Sequence, residues 1–150
     1  MAAAILRRLK FDNDTTDRVK RLVQWHDDNP KLSERTVRRA INRIGEEQYP
    51  ALFAVKRADI LAQSGYHRTE KLSYVDAYEK QYEAILQRKE CICLKQLAIN
   101  GSDLIAAGMK PGKEIGTVLN SLLELVLDDP AQNTKENLLE QAHKIMTPDI

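Results

Sequence analysis

The sequence predicts an all-α protein, an irregular multi-helix bundle in which two helical subdomains are joined by a long helix. Three observations predict it. Aromatic residues make up only 5% of the chain, and 6 glycines and 5 prolines are too few for the many turns of an all-β fold. Apolar residues recur at i, i+3, i+4 and i+7 in segment after segment. Capping residues stand in front of these segments, and glycine or proline stands behind them.

The first segment, Ala2 to Leu9, reads as a helix with no capping residue before it, which leads us to expect a piece of a longer polypeptide. Asp12, Asn13 and Asp14 supply a turn and a cap for a second helix reaching about His26. Val19, Leu22, Val23 and His26 form its expected buried stripe, and Asn29-Pro30 ends it. Ser33 caps a third helix whose stripe is Val37, Ala40, Ile41 and Ile44, with Gly45 as its stop. Its other side carries Arg35, Arg39 and Arg43 at successive turns, with Arg38 alongside. Such a cationic ridge can clamp a phosphate backbone, because each contact releases counterions. It can equally pair with local acids.

Tyr49-Pro50 opens a fourth helix, with proline in its first turn, that runs to Ser64 and stops at Gly65. Asp59 is expected on or beside its apolar face, where a carboxylate needs a partner: a metal, His26 or Arg57. A long fifth helix is expected from Glu70 to Lys89, with Leu72, Val75, Tyr78, Tyr82, Ile85 and Leu86 on its stripe. The tyrosines there are read as packing residues rather than as platforms for bases. Beyond Cys91, Leu97-Ala98-Ile99 is a short apolar run and Asn100-Gly101 a turn, and Ser102 or Asp103 is expected to cap a short helix to Ala107. Gly108 to Gly112 reads as a tight hairpin. A helix from Gly112 to Leu127 follows, ended by Asp128-Asp129-Pro130, and Thr134 to Met146 is a last amphipathic helix. The domain boundaries expected are residues 1–68, a connecting helix over 69–90, and a tail over 91–150.

No apolar run approaches the roughly 20 residues that cross a bilayer, and the N-terminus has no signal-peptide layout. A cytoplasmic protein with no membrane partner is expected. Residues 1–68 carry 14 Lys/Arg against 9 Asp/Glu, and the rest carries 9 against 13, so the first half is basic. Cys91 and Cys93 are spaced C-x-C, which does not match the pairs of a zinc site, and two reduced thiols are expected.

The adjacent His26-Asp27 invites comparison with the HD phosphohydrolases, which hold divalent metal through such a pair. Asp59 would be the distant ligand, but no further set converges, so no metal is expected, with His26 and Asp59 as weak candidates. The sequence contains no Gly-rich phosphate loop, no nucleophile with a base at recognisable spacing and no Asp-x-Asp pair on a strand to hold magnesium, so no catalytic residue is expected. The hairpin offers one more candidate. Backbone amides following Pro111, at Gly112, Lys113 and Glu114, would open a helix and make an anion site with Lys110 and Lys113.

The strings Leu97-Ala98-Ile99-Asn100-Gly101-Ser102-Asp103-Leu104-Ile105, Gly108-Met109-Lys110-Pro111-Gly112, Ile115-Gly116 with Leu119, and Asn133 with Glu136-Asn137-Leu138-Leu139 resemble the C-terminal region of bacterial tRNA nucleotidyltransferases. These are the CCA-adding enzymes and their poly(A) polymerase relatives. Upstream, Leu9 to Asn13 with Val19, Leu22, Val23 and His26 resembles the later half of the HD-related helical domain of that family, and Phe53 to Ala62 its closing helix. The resemblance implies an RNA-binding body and tail, with Arg35, Arg38, Arg39, Arg43, Lys110, Gly112 and Lys113 as contact residues for tRNA or other structured RNA. It also implies an N-terminal catalytic head of the same polypeptide, absent from this sequence, that holds magnesium. A remnant of a metal-dependent HD phosphohydrolase and a helical protein-interaction module are the alternatives.

Overall fold

A computed structural model describes residues 1–147. Among them lie eight α-helices and no strand. They are α1 (Ala2–Arg8), α2 (Asn13–Trp25), α3 (Glu34–Ile44), α4 (Tyr49–Ala62), α5 (Arg68–Gln87), α6 (Gly101–Ala106), α7 (Lys113–Asp128) and α8 (Lys135–Met146). The chain divides into two compact units, residues 1–85 and the chain from Leu86 onward. Residues 148–150 of the expected tail lie outside the described residues.

Local chemistry starts and stops these helices. The Asp12 carboxylate accepts the Thr15 N–H at 2.8 Å and caps α2. Ser33 Oγ accepts the Thr36 N–H at 3.3 Å at the head of α3. Gly45 ends α3 at φ 101°, a conformation that glycine adopts without a Cβ penalty.

The core of the first unit is an aromatic cluster from α4 and α5. Tyr49 stacks on Tyr82 with ring centroids 4.7 Å apart, and Phe53 and Tyr78 meet edge to face at 5.4 Å. The buried hydroxyls of Tyr49 and Tyr78 bond each other at 2.9 Å. Val75, Tyr78, Tyr82 and Ile85 are therefore core residues of the first unit. The first unit thus runs through most of α5, where the sequence reading ended it at residue 68 and treated the long helix as a connector. The tyrosines pack, as their place on the stripe predicted.

The stripe expected on α2 is only partly covered. Val19, Leu22 and His26 are half-buried, and Val23 is 52% exposed. The helix packed most closely on α2 is α1, which buries no residue of its own.

In the second unit, Ile99, Leu104, Val118, Leu122, Val126 and Leu138 form the centre of one apolar cluster. Asn100, rather than Ser102 or Asp103, caps α6. Its side chain accepts from the N–H of Ser102 and of Asp103, while the Asp103 carboxylate accepts the Asn100 N–H, closing a capping box. Asn133 ties in the preceding strand of chain: its amide donates to Gln96 O at 3.0 Å and accepts from Ala98 N–H at 2.8 Å. Cys91 is buried and its thiol is pushed up to about 11 by desolvation, while Cys93 is half-buried; both are free thiols.

Candidate functional site

The third-helix arginines divide by environment. Arg38 is only 4% exposed, and its guanidinium lies 3.8 Å from the Glu34 carboxylate one turn back. Three residues before Ile41, it sits on the flank of the apolar stripe, and its long stem is covered there. Arg43 donates to Asp28 at 2.6 Å and lies over the Trp25 ring at 4.7 Å. Arg35 is exposed and Arg39 half-buried. The even ridge of four expected from the spacing is thus graded in exposure, with Arg35 and Arg43 exposed, Arg39 half-buried and Arg38 buried.

At the hairpin, α6 ends in a Schellman motif. Met109 N–H bonds Leu104 O at 3.0 Å and Gly108 N–H bonds Ile105 O at 2.9 Å, with Gly108 at φ 102°. Gly112 is extended, at φ 170°, and leads into α7 with no side-chain cap. Lys110 and Lys113 are exposed. The Glu114 carboxylate folds back over the turn, with Oε2 2.6 Å from where a Cβ on Gly112 would lie.

A third place was not legible as a site. The end of α2, α4 and the start of α5 enclose a cleft of about 380 Å³, lined by His26, Asp59, Gln63, Glu70, Lys71 and Tyr74 among others. His26 and Asp59, paired in the sequence reading as weak metal candidates, do line the same cleft. Both His26 ring nitrogens and one Asp59 oxygen have other partners. His26 Nδ1 meets Val23 O at 2.7 Å and Nε2 lies 3.2 Å from Asp27 Oδ1. Asp59 is exposed rather than set against the apolar face, and accepts from Gln63 at 2.7 Å. Arg57, its other expected partner, instead donates to Asp76 at 2.7 Å and to Glu79. Among the described residues no group of three or more His, Cys, Asp or Glu side chains is set to hold a metal ion.

The buried cation at the edge of this cleft is Lys56, which sequence reasoning passed over. It is 3% exposed and donates to His26 O at 2.8 Å, Asp28 O at 2.6 Å and Asn29 Oδ1 at 3.3 Å. Burial lowers its pKa, and the nearby Asp28 and Asp27 oppose that shift. The ammonium sits at the carboxyl end of α2, where the helix dipole favours positive charge. Its position four residues after Leu52 and three after Phe53, on the buried face of α4, was the available signal.

A family model for tRNA nucleotidyltransferase domain 2 matches residues 1–142. The chain belongs to this family. Curated relatives carry the name CCA-adding enzyme. The one from Lactobacillus helveticus is 27% identical over 134 residues, covering 87% of this chain and 29% of that enzyme. The one from Ligilactobacillus salivarius is 43% identical over 53 residues, covering 35% of this chain and 13% of the enzyme. A third, from Limosilactobacillus fermentum, is 39% identical over 51 residues, with 34% and 13% covered. The chain spans less than a third of the length of these relatives. No solved structure gives a significant match. The tRNA nucleotidyltransferase family relationship agrees with the resemblance read from the residues around Asn100, Gly108 and Asn133.

Proposed function

We propose that the chain is the RNA-holding helical body and tail of a tRNA nucleotidyltransferase of the CCA-adding or poly(A) polymerase type. It grips the acceptor and TΨC region of tRNA in the cytoplasm for an N-terminal catalytic head that holds the magnesium. The observation that carries this reading is the family match over residues 1–142 together with the CCA-adding relatives. The basic balance of residues 1–68 supports it, since duplex RNA is held largely by backbone and shape. Arg35 and Arg39, one turn apart, and the exposed Lys110 and Lys113 are the contacts we assign to phosphates. Arg38, buried against Glu34, and Arg43, exposed and paired with Asp28 and Trp25, support the same surface. Gly112 shapes the approach to the hairpin.

Titration of the full chain with tRNA tests this. Binding should weaken steeply as salt rises, and Arg39→Glu should weaken it further while reducing the magnitude of the salt slope by about 1. Binding that ignores salt, or no binding to tRNA at low salt, refutes the reading. Salt-independent self-association without RNA binding would instead mark a protein-interaction module.

A further inference from the structure

We infer that the cleft between α2, α4 and α5 takes an unpaired nucleobase of the bound RNA, and prefers bases bearing an exocyclic amino group. The inference rests on the RNA-holding reading above.

Size and walls are the first argument. About 380 Å³ lies within the roughly 300–1,000 Å³ of small-molecule sites. Val75 is buried and Ile60 half-buried, and with the half-buried Tyr74 they give the cleft apolar walls for a ring. The second argument is the polar pattern across it. Lys71 Nζ donates to Gln63 Oε1 at 2.9 Å, and Gln63 Nε2 donates to Asp59 Oδ2 at 2.7 Å. These bonds leave one Gln63 N–H, the second Asp59 oxygen and the second oxygen of Glu70, whose Oε1 lies 3.3 Å from His67 Nδ1, to meet an edge that mixes donors and acceptors.

Charge then separates a base from a phosphate. All three N–H donors of Lys56 are engaged by His26 O, Asp28 O and Asn29 Oδ1. Lys71 remains, against the carboxylates of Asp27, Asp59 and Glu70. A phosphate group would face more negative than positive charge. A neutral ring offering an amino group finds acceptors, as cytosine does with Glu or Asp. The loop from Gln63 to His67 adds a platform beside the opening. Its first residue lines the cleft, Glu70 and Lys71 just beyond it do too, and Tyr66 in its middle is 74% exposed with its ring against His67 at 4.0 Å. Arg68 holds this loop by donating to Gln63 O at 2.9 Å. Splayed bases stacked on aromatic rings and read along their edges are how single-stranded RNA is recognised.

The test is a nuclear magnetic resonance titration of the full chain with cytidine, adenosine, guanosine and uridine, one at a time. Shifts should appear at the Gln63 side-chain amide and the His26 ring, with the best amino-bearing nucleoside preferred over uridine by roughly tenfold. Asp59→Asn and Gln63→Ala, both surface changes, should abolish that preference. Absence of shifts at the cleft, shifts indifferent to both variants, or the same shifts with magnesium chloride alone overturn the inference. A parallel tRNA titration separates the two readings. If tRNA binds but nucleosides leave the cleft unmoved, the cleft assignment fails alone. If tRNA does not bind the unmodified chain, both fall.

Discussion

A buried ammonium must find acceptors for its three protons, or it is expelled to water. Lys56 finds two backbone carbonyls and one side-chain oxygen at the end of α2 and the turn after it. Those carbonyls lose their charged partner if the side chain is made apolar. Lys56→Met should lower stability by about 1.5–3 kcal/mol, the range for hydrogen bonds to charged groups, in a chemical denaturation measurement. Lys20, half-exposed and paired with Asp17 at 3.3 Å, is the control. Lys20→Met should change stability by no more than about 0.5 kcal/mol, because exposed ion pairs contribute little. Equal effects at the two positions would mean that Lys56 is not anchoring α2.

At the scale of the element, the hairpin between α6 and α7 contains two glycines with opposite demands. Gly108 lies at φ 102°, where a side chain is strained, and it carries the Schellman bonds that end α6. Gly112 is extended, and a Cβ there meets only the movable end of Glu114. Gly108→Ala should therefore lower stability by about 1 kcal/mol or more, and Gly112→Ala by much less, as compared in denaturant titrations. The reverse order would show that Gly112 is the turn-forming residue. Both glycines were legible in the sequence as hairpin boundaries, but their different roles were not, since φ is set by which carbonyls the turn must satisfy. The cap of α6 was misassigned for a similar reason. Asn100, Ser102 and Asp103 are all good capping residues, and only the path of the chain into the helix selects Asn100.

For the whole molecule, the first unit depends on phenols that stay protonated. Tyr49, Tyr74, Tyr78 and Tyr82, four of the five tyrosines, have pKa values raised above the ordinary 10.0, chiefly by burial. Below pH 10 these groups are neutral in both states and their contribution to stability is intact. As pH rises past 10 the unfolded chain releases phenolic protons that the folded chain retains, so stability falls. Alkaline titration should show helix loss by circular dichroism together with the main rise in phenolate absorbance. Ionisation of all these tyrosines with the helices intact would contradict the aromatic core described above.

The sequence by itself determined the fold class, the helices and most of their ends, because these follow from periodicity and from capping groups within a few residues of one another. It also carried the family resemblance, through the strings around Asn100, Gly108 and Asn133. Only the tertiary structure decided which charged side chains are engaged. Arg38 and Arg43 are held by Glu34, Asp28 and Trp25, and Lys56 bridges residues about thirty positions away in the chain. Helical spacing reports which residues share a face, but pairing and burial depend on what the fold packs against that face. The cleft beside His26 and Asp59 was out of reach for the same reason, since three separate helices enclose it.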